Sequence, residues 1–296
     1  MIATRRALLA GAGAGLIAAP LAWAQDRNDQ DRNDQNRNGA PLALNGAWRQ
    51  GGYALGRTTP GALIFVDGEA LTTASTAGLF VVGFDRDAGP SVQIEARANG
   101  RKARRTLDIA PYAFPSTRVN GLPPSTVEPT DPALLERIQR EIALKTEGFA
   151  SRIDADDFRH GFVWPLETYR VSSAWGAQRI LNGTPARPHY GIDLAAPQGT
   201  VIRAPADGRI AFVRPDMHFE GGLTLIDHGQ GLITCYLHQS RLDVQQGQRV
   251  RRGDPLGRVG MTGRATGPHL CWRMKWRDRN LDPSLMVGAQ APKTIA

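Results

Sequence analysis

Between residues 41 and 115, apolar positions come in short runs closed by turn-forming residues: Ala62–Val66 before Asp67-Gly68, Leu79–Phe84 before Asp85-Arg86-Asp87, and Ser91–Ala96 before Asn99-Gly100. Runs of this length, bounded by Asp-Gly or Asn-Gly, predict strands joined by tight turns. Their spacing predicts a small β-sandwich over residues 41–118. That stretch has no His or Cys, so it reads as a packing or binding module. A Pro-rich joint and a helix are expected over 119–160. Asp131 is placed to cap the helix and Pro132 to start it. Leu134, Leu135, Ile138 and Ile142 form its apolar stripe, and Glu136/Arg140 and Glu141/Lys145 are spaced for i, i+4 pairs. From 161 to 290 the pattern returns to short strands between Gly and Pro turns, and five of the six histidines lie there. A short tail, 291–296, follows.

Alternation within the last region sorts its polar side chains by face. In Pro188–Leu194, Tyr190, Ile192 and Leu194 share an apolar face, leaving His189, Gly191 and Asp193 on the other. A His and a carboxylate four apart, with a glycine between them, suit two ligands of one metal ion. In Gly267–Met274, Leu270, Trp272 and Met274 point inward while His269 and Cys271 point away. In Ile233–His238, Tyr236 and His238 share one face and Cys235 and Leu237 the other. The remaining histidines read as structural: His228 sits in the turn Asp227-His228-Gly229, and His160 and His218 are isolated.

Residues 1–24 change the picture of where the chain works. A basic start with Thr4-Arg5-Arg6-Ala7-Leu8-Leu9, an apolar stretch diluted by three glycines, and Ala22-Trp23-Ala24 read as a cleaved export signal of the twin-arginine type. The mature chain is then expected in the periplasm with no integral membrane span. Residues 25–40 repeat Gln-Asp-Arg-Asn with almost no apolar side chain and read as a disordered linker, because nothing in them offsets the ordering entropy of about 1–2 kcal/mol per residue.

At 41% hydrophobic and 22% charged, the composition excludes a multi-span membrane protein and a wholly disordered chain, and 33 Gly and 20 Pro favour short strands over a helical bundle. The formal charge of +8 favours polyanionic partners. The arginines are scattered among acids without aromatic clusters, which points to anionic cell wall and away from nucleic acid.

From Ser172 to Pro283 the chain resembles the lysostaphin-type, LytM-like zinc endopeptidases of the bacterial cell wall. The resemblance is carried by Ser173-Ala174-Trp175-Gly176, His189-Tyr190-Gly191-Ile192-Asp193, Ala204–Gly208, Asp227–Leu232, Tyr236-Leu237-His238 and Thr262–Leu270. It implies a mainly β fold: an antiparallel peptidase sheet, here preceded by the β-sandwich and one connecting helix. It also implies a zinc ion held by His189, Asp193 and the second His of a His-x-His motif, with His238 and His269 as catalytic, non-ligand histidines.

The chain departs from that motif at His269-Leu270-Cys271. A thiolate is a good zinc ligand, at about 2.3 Å against about 2.0–2.1 Å for nitrogen, so a His189–Asp193–Cys271 site is expected. A second anionic ligand makes the ion a weaker Lewis acid, which predicts slower hydrolysis. A Cys235–Cys271 disulfide is disfavoured by parity: Cys235, three residues from His238, is expected on the core side, and Cys271 on the side of His269.

The expected activity is hydrolysis of peptide cross-links in peptidoglycan. The alternative is a catalytically impaired module that binds wall, or that activates another wall hydrolase or a division component. No substrate-binding residue is identifiable from the sequence.

Overall fold

The computed structural model describes residues 40–294. The expected export signal and all but the last residue of the expected linker lie outside the described residues.

The chain is mainly β, and its sheets are antiparallel apart from one short parallel pair. The first part holds two sheets. One has the order β1-β2-β5, from Leu42–Ala47, Tyr53–Thr58 and Leu79–Gly83. The other has the order β4-β3-β6-β7, from Glu69–Thr73, Leu63–Val66, Ser91–Ala98 and Arg101–Asp108. The runs read as strands from the sequence are β3, β5 and β6. Asp67 and Asn99, in the turns after β3 and β6, take the left-handed φ that Asx-Gly turns require.

Next, β8 (Ser116–Val119) runs parallel to β10 (Gln178–Leu181), which also pairs with the two-residue β11 (Thr184–Pro185). A single helical turn, α1 (Pro124–Val127), leads to α2 (Pro132–Phe149). The cap is as expected: Leu134 N donates to Asp131 Oδ1 at 2.8 Å.

The buried edge of α2 differs from the expected stripe. Ile138, Glu141 and Gly148 are buried, whereas Leu135 and Ile142 are 40% and 45% exposed. The helix lies so close to the sheet that a methyl group on Gly148 would fall 2.8 Å from Phe212 Cβ. That approach draws in Glu141 and Lys145, and their expected pair does not form. Arg137 donates to Glu141 at 2.8 Å, and Lys145 reaches across to Glu220 at 2.5 Å.

The main sheet has the order β18-β14-β15-β16-β20-β12-β9, with β21 (Arg279–Leu281) on β20. Its strands are β9 (Arg170–Ser173), β12 (Ile192–Ala195), β14 (Gly208–Met217), β15 (Gly221–Asp227), β16 (Leu232–Gln239), β18 (Arg249–Val250) and β20 (His269–Trp276). A small sheet of β13 (Val201–Arg203), β19 (Pro255–Arg258) and β17 (Arg241–Leu242) lies beside it in sequence.

Every residue of β15 and β16 is buried, because both faces of the main sheet are covered. One face, with Tyr236, Leu270, Trp272 and Trp276, shares a single hydrophobic cluster with Leu55, Ile64, Phe80 and Ile94 of the first part. Arg279 donates to the Gly83 carbonyl, and a methyl group on Gly83 would lie 2.7 Å from Leu281. The change near residues 118–161 is therefore a change of sheet within one compact unit. The opposite face, with Leu223, Leu225, Ile233, Cys235, Leu237 and Cys271, packs against Leu144 and Phe149 of α2. Among the described residues no helix is long and apolar enough to cross a membrane.

Candidate metal centre

Strand register builds the site. Asp193 on β12 stands directly opposite Cys271 on β20, and Cys271 is in turn opposite Leu237 on β16. His189 precedes β12 in an extended segment fixed by two backbone bonds: its own N–H donates to the Ala177 carbonyl, and its carbonyl accepts from Gly176.

These three residues bring their donor atoms to one place. His189 Nε2 lies 3.1 Å from Asp193 Oδ1 and 3.2 Å from Cys271 Sγ, and all three donor atoms fall within 4.8 Å of one another. Gly191 makes the room, as its position between the ligands suggested. A methyl group there would lie 2.6 Å from Cys271 Sγ and 3.2 Å from His189 Nε2.

The donor set fits a zinc ion. Asp193 Oδ1 is buried and has no hydrogen-bond partner among the described residues, although a buried acceptor normally has one. Burial pushes the His189 imidazole down to about 4, so it is neutral near pH 7 and has a nitrogen lone pair to give. Ser173 Oγ lies 3.2 Å from its Nδ1, which leaves Nε2 as the atom facing Asp193 and Cys271. Burial also raises the Asp193 carboxyl, but His189, His269 and Arg179 outweigh it and hold the group below the usual carboxylate range. Burial pushes the Cys271 thiol up to about 12, so a metal must displace its proton to gain the sulfur. One imidazole, one carboxylate and one thiolate are ordinary zinc ligands, and three protein ligands leave a position open.

His238 and His269 flank this cluster with ring centroids 4.7 Å apart. His238 Nδ1 donates to the Thr262 carbonyl and His269 Nδ1 to the Gly267 carbonyl, each at 2.8 Å. In both rings Nδ1 is thus taken up by a carbonyl, which leaves Nε2 for the site, and His269 Nε2 is 3.8 Å from Asp193 Oδ1. Burial, and then the neighbouring His269, push His238 down to about 3. All five residues expected at the site are together.

The expected faces of the two cysteines are corrected. Cys235 pairs with Arg273 in register and lies on the same side of the sheet as Cys271. Both thiols are free, and Cys235 stands diagonal to Cys271 across the ladder, a spacing of about 7–8 Å that is unsuited to a disulfide.

His228 is structural, as expected: its Nδ1 donates to the Asp207 carbonyl at 2.6 Å, and Nε2 contacts Thr234 Oγ1 at 2.7 Å. His218 Nε2 donates to the Ser125 carbonyl.

Two arginines had not been singled out. Arg273 Nε donates to Cys271 Sγ at 3.3 Å, and Arg179 Nη2 donates to Asp193 Oδ2 at 3.3 Å. Arg273, two residues from Cys271 on one strand, could have been found by the alternation already in use. Arg179 comes from β10, in a different sheet, and no local pattern points to it.

Residues 187–283 match the family model described as Peptidase family M23. The chain is 37% identical over 146 residues to the peptidoglycan DD-endopeptidase ShyA of Vibrio cholerae, an alignment covering 47% of this chain and 34% of that protein. It is 41% identical over 121 residues to the DD-carboxypeptidase/endopeptidase Mpg of Neisseria meningitidis, covering 41% and 28%. The matched part thus spans about a third of one of these curated relatives and 28% of the other. A solved Pseudomonas aeruginosa structure assigned to peptidase M23 matches over 82% of this chain and 96% of its own, with a TM-score of 0.63 and 29% identity. That likeness extends the shared fold well beyond residues 187–283.

Proposed function

We propose that this protein is a zinc metallo-endopeptidase that hydrolyses peptide cross-links of peptidoglycan, working in the periplasm after export by the signal at residues 1–24. The observation that carries the reading is the convergence of His189 Nε2, Asp193 Oδ1 and Cys271 Sγ, with the Nε2 atoms of His238 and His269 beside them. The match to Peptidase family M23 over the segment that holds all five residues supports it, and the endopeptidase names of the relatives support the substrate.

His189, Asp193 and Cys271 would hold the ion. Zinc supplies a Lewis acid for a peptide carbonyl and a bound water of lowered pKa. The chain's own residues do the rest. His238, neutral and anchored through Nδ1, accepts the proton of the attacking water at Nε2. His238 then returns that proton to the leaving amine, and His269, anchored in the same way, would stabilise the developing oxyanion when its Nε2 also carries a proton. Burial on both faces of the sheet keeps the donor geometry fixed.

The bond from Arg273 to the Cys271 sulfur favours the second reading enough to keep it in view, since a cation at the thiol opposes loading of a metal cation. In that case the protein is a non-catalytic module that binds wall or activates another wall hydrolase. Metal analysis of protein purified without added zinc, together with digestion of purified sacculi, separates the two. The endopeptidase reading expects about one equivalent of zinc and release of soluble muropeptides, both lost in Cys271→Ala. Sacculus binding that ignores chelators, with no product, would establish the alternative. Cys271→His adds a further arm: a large gain in turnover identifies a natural protein that is slowed but otherwise equipped.

A further inference from the structure

The sequence leaves an electrostatic problem. Two anionic ligands bring a divalent ion to formal neutrality and weaken it as a Lewis acid. Each anionic donor atom set, however, touches a guanidinium: Arg273 Nε donates to Cys271 Sγ, and Arg179 Nη2 donates to Asp193 Oδ2, both at 3.3 Å. Arg273 is held in place by the ladder, since it follows Cys271 by two residues on β20 and stands opposite Cys235 on β16. Its stem also packs against the site glycine, where a methyl group on Gly191 would lie 2.8 Å from its Cγ. Among the described residues no carboxylate reaches ion-pair distance of Arg273; its main electrostatic partner is the Cys271 sulfur, with Glu220 acting on it from further off.

We propose that Arg273 is a positioning residue that offsets the extra negative charge brought by Cys271, with Arg179 doing the same for Asp193. The proposal rests on the metallo-endopeptidase reading and adds that the cysteine is matched by its own partner. A hydrogen bond from a guanidinium withdraws electron density from the sulfur and adds positive charge next to the ion. Both effects make a thiolate act more like the neutral imidazole it stands in for. The geometry has a cost: a fixed cation also repels the incoming metal, whose double charge feels it more than a proton does.

Cobalt substitution tests this without reference to turnover. Cobalt(II) titrated into the metal-free full chain is expected to give a near-ultraviolet sulfur-to-cobalt charge-transfer band. In Arg273→Met that band is expected to move to longer wavelength, because the sulfur lone pair is no longer stabilised. Metal affinity is expected to rise several-fold, and affinity for azide as a probe anion to fall several-fold. Arg273→Lys, which keeps the charge but not the planar donor, is expected to retain azide affinity while showing the band shift. A variant that is only destabilised would lower the melting temperature and leave the band in place, which overturns the proposal. So would a band at the wild-type position with unchanged metal and azide affinity. A wild-type protein that binds cobalt without any sulfur band removes Cys271 from the ligand set, and both the proposal and the reading beneath it fall together.

Discussion

The rings of His238 and His269 face each other at 4.7 Å, although strict alternation along β16 turns His238 to the opposite side of the sheet, the side of Tyr236. A bulge reconciles the two. Gly222 pairs with Gln239 and Thr224 with Tyr236, so Leu237 and His238 together oppose the single residue Leu223. His238 takes a left-handed φ of 66°, and this rotation delivers its imidazole to the site. Such a conformation costs of order 1–3 kcal/mol in a residue with a Cβ, and it persists at functional sites where surrounding structure imposes it.

His238→Ala should therefore lower kcat against cross-linked muropeptides by about 10²–10⁴-fold, the usual contribution of a general base. Zinc content should remain near wild type, since His238 is outside the donor cluster. Turnover within a factor of a few of wild type would remove His238 from the mechanism.

Gly191→Ala should weaken metal binding at least tenfold with little effect on the fold. The added methyl group would meet Cys271 Sγ at 2.6 Å, Arg273 Cγ at 2.8 Å and His189 Nε2 at 3.2 Å. These are side-chain atoms that can move aside, but two of them are the proposed donors. The check is a zinc titration beside a thermal melt: affinity down by at least tenfold, with the melting temperature of the metal-free protein within a few degrees of wild type. Undiminished affinity would show that the donors do not need their present spacing.

Zinc binding should release close to one proton, and its apparent affinity should rise about tenfold per pH unit from pH 6 to 8. The reasoning is a competition at sulfur: burial pushes the Cys271 thiol up to about 12, so throughout this range the metal must displace the proton. His189, pushed down to about 4, is already neutral there and contributes nothing to the slope. Calorimetry in two buffers of different ionisation enthalpy counts the released proton. A pH-independent affinity is the contrary result.

The metal-free protein should lose stability as the pH drops below about 6.5. Burial lowers His189, His228 and His238 relative to the unfolded chain, whose histidines titrate near 6.5. Below that value the unfolded state binds more protons, so each histidine contributes a loss of up to about 1.4 kcal/mol per pH unit until its folded-state value is reached. For His189 this window closes near pH 4 and for His238 near pH 3. Asp193, lowered rather than raised, adds a loss only in the more acidic carboxylate range. Urea midpoints at pH 7, 6 and 5 should fall steadily, and a flat series would mean that these rings are hydrated in the folded state.

Much of this protein is legible in short stretches of its chain, because the relevant physics is local. Asx-Gly turns and short apolar runs mark β3, β5 and β6, and Asp131 before Pro132 marks the start of α2. Alternation over a few residues correctly grouped His189 with Asp193 and His269 with Cys271, since a pleated strand turns its side chains with a period of two wherever it is regular.

Tertiary structure decided what depends on register between distant strands. The bulge at His238 breaks the count of two, and this is why Cys235, reckoned by parity from His238, was expected on the wrong face. The helix surface that meets the sheet, running through Ile138, Glu141 and Gly148, was set by close approach to Phe212 and not by the most apolar stripe. Arg179 reaches Asp193 from a sheet that only the folded chain brings alongside. A side chain's face is a local property; the partner it meets there depends on pairings that span a hundred residues or more, and no short stretch of sequence encodes them.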